Sequence, residues 1–205
     1  MIGVSPSPAQ GAQPRSPGRP RSEQSRVAVL RATSELLQEV GLRAMTTEQI
    51  ASRSGASKAT IYKWWPNKYA VAIEAFLTEM MAEAPDPDTG SAAEDFRRVI
   101  RGLVHFYAGA SGRVFAQLVG EAQSDQQLRA ELYAHLAEPR RKLMKTIWAR
   151  GVARGELRPD LDTDAALDQL IGPMLYRLLL GHARLDDASA DALVDGAMRG
   201  FAVPE

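Results

Sequence analysis

Residues 55–71 read GASKATIYKWWPNKYAV and bring two tryptophans, two tyrosines and three lysines together in one short stretch. Gly55 predicts a turn, and Ser57 is a typical N-terminal cap for the helix that follows. Pro66 ends that helix, because the residue before a proline is disfavoured in the helical region. The stretch therefore predicts one short helix that needs packing partners to be stable.

A second short helix is predicted just before this turn. Residues 46–57 read TTEQIASRSGAS, in which Thr46 and Gln49 have the spacing of a capping box. Two short helices joined by a glycine turn form a helix-turn-helix, whose second helix enters the DNA major groove. In that second helix, Ile61 and Trp65 lie four residues apart and share the buried face. The other faces carry Lys58, Ala59, Thr60, Tyr62 and Lys63.

These outward-facing side chains suit a nucleic acid. Lys58 and Lys63 can donate hydrogen bonds to guanine edges or phosphates, and the Tyr62 hydroxyl adds a polar group. Lys68 follows at the start of the next helix, where backbone N–H groups favour an anion. A single lysine is more often a solvated charge, and tryptophans pack more often than they touch bases. Their concentration in one motif nevertheless favours DNA binding.

The charge distribution supports the same interpretation. The whole chain of 205 residues has a formal net charge of zero. Residues 1–70 contain ten Lys or Arg and four Glu, for a net charge of +6, and the remaining residues carry −6. This asymmetry indicates a head that binds a polyanion, attached to an acidic body.

The rest of the chain is predicted to be helical. Apolar residues recur at three- and four-residue steps from Ser22, and Gly41 is a typical C-terminal cap for that first helix. The stretch APDPDTGS at 84–91 breaks the pattern. Further helices are predicted near residues 67–83, 92–110, 113–123, 126–153, 163–183 and 187–201. Because no stretch alternates with a period of two, we predict an all-α protein with about nine helices.

Several classes of function are disfavoured. The chain has no cysteine, and its three histidines are far apart, so we expect no metal site and no cofactor. No glycine-rich phosphate loop occurs, and we predict no catalytic residues and no enzyme activity. No apolar run is long enough to cross a membrane, so we expect no membrane partner and a cytoplasmic location.

Residues 26–72 resemble the DNA-binding domain of TetR-type transcriptional regulators. The resemblance rests on the apolar pairs before Gly41, on TTEQIA and on GASKATIYKWWPNK. The rear half also resembles one TetR C-terminal type, through GELRPDLD, IGPMLYRLL and LDDASADALVDG. The resemblance implies a homodimeric, all-helical regulator of double-stranded operator DNA. It suggests a repressor that a small-molecule effector releases from a palindromic operator.

The resemblance also assigns DNA contacts. The helix matching 57–64 lies in the major groove in the family, which brings in Ser57 and Trp64 beside the five outward-facing residues. Thr46 and Thr47 match positions that contact phosphate, as does Lys68. The tryptophan pair departs from the aromatic-histidine or aromatic-phenylalanine pair of many members, so Trp64 either contacts DNA or packs.

Three regions are expected on this basis: a flexible basic arm at 1–21, a helix-turn-helix domain at 22–69 and a helical regulatory and dimerisation domain at 70–205. In the arm, Arg19 and Arg21 either enter an A·T-rich minor groove or belong to a solvated tail.

The apolar positions of the rear half have two interpretations each. The last two helices form either core or a four-helix dimer interface, and the resemblance favours an interface of Leu167, Leu170, Ile171, Met174, Leu175, Leu178, Leu193, Ala197 and Phe201. Family members often hold a ligand behind the DNA-binding head. The candidate pocket residues, which also suit plain core packing, are Phe106, Tyr107, Phe115, Met144, Trp148 and Tyr176.

Two alternatives remain open from the sequence. The first is a helical small-molecule-binding or interaction module that does not bind DNA. The basic head argues against it, because such a module has no use for a charge of +6. The second is an activator of the same family.

Overall fold

A computed structural model describes residues 19–82 and 87–204, and for residues 19–22 and 81–82 it describes the backbone alone. Apart from one isolated β-bridge between Leu157 and Ala202, the regular secondary structure of the described residues is helical, which confirms the all-α prediction. The helices are α1 (Arg19–Glu39), α2 (Gly41–Ala44), α3 (Thr47–Ser54), α4 (Lys58–Trp64), α5 (Lys68–Ala82), α6 (Ala92–Tyr107), α7 (Ala110–Ala122), α8 (Gln126–Leu132), α9 (Glu138–Ala153), α10 (Thr163–Leu180) and α11 (Asp187–Phe201). A π-helical turn at Tyr133–Ala137 joins α8 to α9 as one continuous rod.

The head is built from α1 to α4. Its core holds Leu36, Ile50, Ile61 and Trp65, each almost completely buried. Helix α1 packs against α3 and α5, and α3 packs against α4. Three of its helices, α2, α3 and α4, are too short to be stable alone, so packing against the rest of the fold holds them.

Helix α2 was not predicted from the sequence. The predicted helix 126–153 corresponds to α8 and α9 together, so the described part of the chain has ten helices where about nine were predicted. Gly41 has φ of +78°, as expected for a residue that caps α1, but it also begins α2. The side chain of Gln117 in α7 accepts a hydrogen bond of 2.7 Å from the backbone N–H of Leu42. Arg43 pairs with Glu121 of α7 at 2.8 Å. Helix α2 therefore attaches the head to the body.

The body is built from α6 to α11 around an aromatic core. The rings of Phe96 and Phe201 both pack against Trp148, with centroids 6.5 and 5.4 Å away. Asp95 of α6 is fully buried and accepts hydrogen bonds from the backbone N–H and the hydroxyl of Thr89. Arg150 of α9 lies 3.6 Å from the same carboxylate. The buried carboxylate of Asp95 therefore holds Thr89, in the segment before α6, to the body.

Several predicted helix boundaries differ from the structure by about three residues. For example, α6 ends at Tyr107 instead of near 110, and α7 starts at Ala110 instead of near 113. Helix α1 starts at Arg19 rather than at Ser22, so the last residues of the predicted arm are helical, and residues 1–18 lie outside the described part. Helix α10 ends at Leu180, three residues before the predicted end near 183, because Gly181 adopts φ of +62° and caps the helix.

Candidate nucleic-acid interface

The turn between α3 and α4 is fixed by local hydrogen bonds. Thr46 and Gln49 form the predicted capping box: the Thr46 N–H donates to Gln49 Oε1 at 2.8 Å, and the Gln49 N–H donates to Thr46 Oγ1 at 3.2 Å. Gly55 ends α3 with φ of +71°. The Ser57 hydroxyl accepts a bond from the Thr60 N–H at 3.1 Å and so caps α4. These bonds fix the orientation of α4 relative to α3.

Helix α4 presents the predicted outer surface. Ile61 and Trp65 are buried, whereas Lys58, Ala59 and Lys63 are exposed. Tyr62 is 52% exposed, although large aromatic side chains are usually buried to a greater extent. Thr60 is half-buried at the start of the helix. We call the surface formed by Lys58, Ala59, Thr60, Tyr62 and Lys63 the recognition surface.

The ionic state of the recognition surface is uneven. Lys58 Nζ pairs with Glu48 of α3 at 2.7 Å. That hydrogen bond raises the pKa of Lys58 and lowers the pKa of Glu48. Lys63 makes no hydrogen bond or ion pair with any described residue, so its ammonium group is fully available to a phosphate or a base. Glu48 was missed by sequence reasoning, although an acid in the first turn of α3 is the signal that could have revealed it.

The two threonines at the start of α3 differ in availability. Thr46 is exposed but uses its hydroxyl for the cap. Thr47 is only 8% exposed, and its hydroxyl accepts a 3.4 Å bond from the Tyr62 hydroxyl. Thr47 therefore orients Tyr62 at the edge of the recognition surface.

Lys68 has different partners from those expected. Its ammonium group donates to the backbone carbonyls of Leu42, Arg43 and Met45 at 3.0, 3.1 and 3.2 Å. An ammonium group has three N–H donors, and all three are used here. In this structure Lys68 closes the carboxyl end of α2 and has no donor left for a phosphate.

The two tryptophans have separate roles. Trp64 is half-buried and meets the Trp65 ring edge-on, with centroids 5.4 Å apart, so it packs beside the core. The Trp65 indole N–H donates to Glu74 Oε2 of α5 at 2.6 Å. The other oxygen of Glu74 pairs with Arg26 of α1. We call Arg26, Glu74 and Trp65 the head clamp, since they join α1, α5 and the end of α4.

The head clamp was missed by sequence reasoning. Its signal was Glu74, an acid inside the otherwise apolar run 69–77. The side chains of Arg19 and Arg21 lie outside the described residues, so the predicted minor-groove contact of the arm stays a prediction.

A cavity of about 260 Å³ lies in the body behind the head. Of the predicted pocket residues, Tyr107 and Phe115 line it. The other four do not line this cavity: Phe106, Met144 and Trp148 are buried in the packed core, and Tyr176 is 59% exposed on the surface. Helical spacing marked all six as inward or apolar, but it does not separate core from cavity.

Comparison with known proteins identifies the family. Residues 29–75 match the family model "Bacterial regulatory proteins, tetR family", and residues 86–197 match "Tetracyclin repressor-like, C-terminal domain". The chain belongs to the TetR family of transcriptional regulators. It is thus a DNA-binding regulator, and the helix-turn-helix predicted from residues 46–65 lies within the matched N-terminal region.

Several relatives cover nearly the whole chain. The HTH-type transcriptional regulator YdeS of Bacillus subtilis is 39% identical over 183 residues, which is 89% of this chain and 92% of that protein. The DNA-binding transcriptional repressor TetR of Mycobacteroides abscessus is 29% identical over 87% of this chain and 94% of its own. The crystal structure of the TetR-family regulator SCO0332 superposes with a TM-score of 0.75 at 34% identity, covering 89% of this chain and all of that one.

The predicted dimer interface of this TetR-family chain needs correction. Leu167, Leu170, Met174 and Phe201 are at most 3% exposed within a single chain, because they face the chain's own core. They are unavailable to a partner. The remaining predicted residues, which are half-buried, are Ile171, Leu175, Leu178, Leu193 and Ala197.

The exposed apolar residues of α10 form a different stripe. Tyr176, Leu179 and Leu180 are 59%, 46% and 61% exposed, and their spacing places them on one side of the helix. Helix α11 exposes small residues at four-residue spacing, and a Cβ atom added at Gly196 or Gly200 would meet nothing within 4 Å. We call this surface of α10 and α11 the rear face.

Two negative findings apply to the part of the chain that the structure describes. No group of three or more His, Asp or Glu side chains there is arranged to hold a metal ion. None of the helices described is both long enough and apolar enough to span a membrane.

Proposed function

We propose that this TetR-family regulator is a homodimeric repressor that binds a palindromic operator through residues 22–69 and is released when a small molecule occupies the cavity in residues 70–205. The observation that carries the DNA-binding part is the recognition surface. It projects a half-exposed Tyr62 and a Lys63 that has no partner in the described part of the chain, from a helix whose opposite residues Ile61 and Trp65 are buried. A second helix-turn-helix in a two-fold dimer would lie one DNA turn away, about 34–36 Å, or a multiple of that distance.

The side chains of the recognition surface have different roles in this proposal. Tyr62 contacts a base edge, where its hydroxyl exchanges the 3.4 Å bond to Thr47 for a bond to DNA. Lys63 donates to a base edge and to the adjacent phosphate, because its ammonium group has three donors and no partner among the described residues. Lys58 leaves Glu48 to contact DNA, and the exposed Thr46 lies beside the phosphate backbone. Lys68 positions α2 rather than binding phosphate, because all of its donors are engaged.

The dimer forms through the rear face. Tyr176, Leu179 and Leu180 supply exposed apolar area, and large apolar residues that form a contiguous patch on a surface mark an interaction site. The small residues of α11 allow a partner helix to approach closely. Pairing two copies of α10 and α11 gives the four-helix arrangement that the sequence predicted, but it uses different side chains of α10.

Two paths connect the cavity to the head. Helix α5 runs from the end of the helix-turn-helix into the body, where it packs against α7 and α8. Helix α7 lines the cavity through Phe115 and holds α2 through Gln117. A ligand that changes the position of α7 would therefore also displace α2 and the Lys68 contacts. Such a ligand must bind the two states with different affinity, and linkage then requires operator DNA to weaken the ligand by the same factor.

Related structures support the idea that this fold accommodates ligands. The transcriptional regulator FadR of Bacillus subtilis was solved with stearoyl-CoA, and it superposes with a TM-score of 0.69 at 20% identity over 85% of this chain. That likeness concerns the fold alone. The relative from Mycobacteroides abscessus is a repressor by name, and repression is the role we propose here.

Footprinting the DNA that flanks the gene tests the proposal. We expect protection of one palindrome, and Tyr62→Ala or Lys63→Ala should reduce discrimination at particular base pairs by about 1–3 kcal/mol. Lys142→Ala is the matched control, because Lys142 is an exposed lysine on α9, outside the head. Protection without a palindrome, or equal effects of Lys63→Ala and Lys142→Ala, would contradict the proposal.

A further inference from the structure

The cavity in the body has an apolar wall on most sides. Its lining comes from the end of α6, from α7, from the π-helical turn and from α9 and α10. The apolar contributions include Phe115, Leu136, Met174 and Leu175. A π-helical turn inside an otherwise α-helical rod is uncommon and is often found at functional sites. Here, Leu136 and Ala137 of that turn line the cavity directly.

Three charged side chains also line the cavity, and two of them neutralise each other. Asp168 pairs with Arg141, which also holds Asp164 at 2.7 Å. Lys145 adds a second cation to Asp164 at 2.8 Å. The carboxylate of Asp168 is therefore occupied and is a poor site for a cationic ligand.

Arg140 is the third charged side chain, and it has no carboxylate partner among the described residues. One of its Nη atoms donates to the Met80 sulfur at 3.0 Å. A thioether is a neutral acceptor. A guanidinium carries five N–H donors and binds carboxylates in a bidentate manner, so most of its capacity is unused.

Tyr107 provides a second donor next to Arg140. The Tyr107 side chain is 3% exposed, and burial raises the pKa of its hydroxyl. The phenol is therefore protonated near neutral pH and can donate its proton. Arg140 and Tyr107 both line the cavity, whose remaining wall is mostly apolar.

We propose that the cavity binds a small amphiphilic monocarboxylate, with its carboxylate on Arg140 and Tyr107 and its apolar body against Phe115, Met174 and Leu175. A volume of about 260 Å³ corresponds to roughly nine water molecules in the liquid. It suits an aliphatic or aromatic acid of on the order of ten non-hydrogen atoms. The inference deepens the proposed function, because it names the chemical class of the molecule that occupies the regulatory cavity.

Binding at Arg140 would also reach the DNA-binding head. Met80, the sulfur partner of Arg140, belongs to α5, the helix that begins directly after the helix-turn-helix. A carboxylate competes with that sulfur for the guanidinium. The ligand therefore changes a contact that holds the far end of α5 to α9.

Calorimetric titration of the full-length protein tests the proposal, with octanoate as the probe. Octan-1-ol and octylamine have the same chain length but are neutral and cationic. We expect octanoate to bind at least ten-fold more tightly than either. Arg140→Gln should weaken octanoate at least ten-fold and leave octan-1-ol unchanged, whereas Lys142→Gln removes an exposed charge two residues away and should change neither.

Arg140→Lys provides a second variant if the glutamine variant does not fold. It keeps the charge but loses the bidentate geometry, so we expect octanoate binding several-fold weaker than in the native protein. Equal or tighter binding of octylamine, unchanged octanoate affinity in Arg140→Gln or Arg140→Lys, or no octanoate binding at about 1 mM would overturn the inference.

Operator DNA separates this inference from the proposed function. Octanoate that binds with the expected selectivity but with the same affinity in the presence of operator would support the carboxylate site and contradict its regulatory role. Release of the operator by another compound, with no octanoate binding, would support the regulatory role of a ligand and contradict the carboxylate site.

Discussion

The head and the body of this regulator differ in what determines their structure. In the head, short-range hydrogen bonds fix the geometry: Thr46 and Gln49 cap each other, and Ser57 caps α4. In the body, contacts between residues distant in the sequence decide the arrangement, as between Asp95 and Arg150. The comparison shows why a DNA-binding motif can be recognised in one sequence more easily than a ligand site or an interface.

The largest expected effect concerns the buried carboxylate of Asp95. Asp95→Ala should reduce the free energy of unfolding by about 3–5 kcal/mol, because it removes a fully buried acceptor of two hydrogen bonds from Thr89 that also lies 3.6 Å from Arg150. Urea denaturation of the purified protein measures this change. Asp88→Ala is the matched control, since Asp88 lies 3.4 Å from the same arginine but is 62% exposed. A loss of similar size in both variants would show that the buried contact has no special role.

The next effect concerns the junction between the regions. Glu74→Ala removes the acceptor of the Trp65 indole and the partner of Arg26, and should cost about 2 kcal/mol of unfolding free energy. Operator affinity should also fall, because the end of α4 loses its attachment. Glu79→Ala, on the same helix, provides the comparison. Stability and operator affinity that match those of the native protein would disprove the role of the head clamp.

Two glycines allow a finer comparison of the same junction. Gly41 and Gly55 both have φ above +70°, so alanine is strained at either position. A Cβ atom at Gly55 meets nothing within 4 Å, whereas one at Gly41 lies 3.0 Å from the Gln117 amide. We expect thermal unfolding to show a loss of about 1 kcal/mol for Gly55→Ala and about 2 kcal/mol for Gly41→Ala. An equal loss would mean that the α2–α7 contact adds nothing.

The rear face should affect assembly without affecting folding. Tyr176→Glu places a charge in the proposed dimer surface, and we expect sedimentation to show a shift toward monomer. Tyr133→Glu is the control, because Tyr133 is 57% exposed compared with 59% for Tyr176. A dimer that tolerates Tyr176→Glu as well as Tyr133→Glu would place the interface elsewhere.

The smallest expected effect concerns Glu48. Glu48→Gln removes the partner that Lys58 must leave before it contacts DNA, so operator affinity should rise by about two- to five-fold at low salt. The same ion pair makes folding stability depend on pH. Lys58 lowers the pKa of Glu48. The stabilising contribution of Glu48 is therefore present above its unfolded pKa and disappears as the pH falls through the lowered folded pKa. Fluorescence anisotropy with Glu35→Gln as control measures the affinity, and a decrease in the Glu48 variant would contradict this assignment.

The sequence predicted the head in detail because its signals are local. The spacing of Thr46 and Gln49, the glycine at position 55 and the four-residue step from Ile61 to Trp65 each determine one feature over a few residues. The partners of Lys68 were not predictable, since they depend on α2, a four-residue helix without a distinctive pattern. Glu74 was equally hard to assign, because its partners lie 9 and 48 residues away.

The body shows the opposite result. Its helices were predicted within a few residues, but the roles of their faces were not. Helix α10 is apolar around most of its surface, so periodicity does not distinguish Leu170, which is in the core, from Leu180, which is exposed. Arg140 was not considered as a cavity residue, because only the fold shows that it lines the cavity and has no carboxylate partner among the described residues.

The salt dependence of operator binding tests the central claim most directly, because the claim is that the recognition surface binds DNA. We predict that the logarithm of the affinity falls with the logarithm of salt concentration with a slope on the order of −5 or steeper. In Lys63→Ala the slope should be shallower by about two, one for each subunit of the dimer, while Lys142→Ala retains the native slope. A slope near zero, or a slope that Lys63→Ala leaves unchanged, would contradict the account.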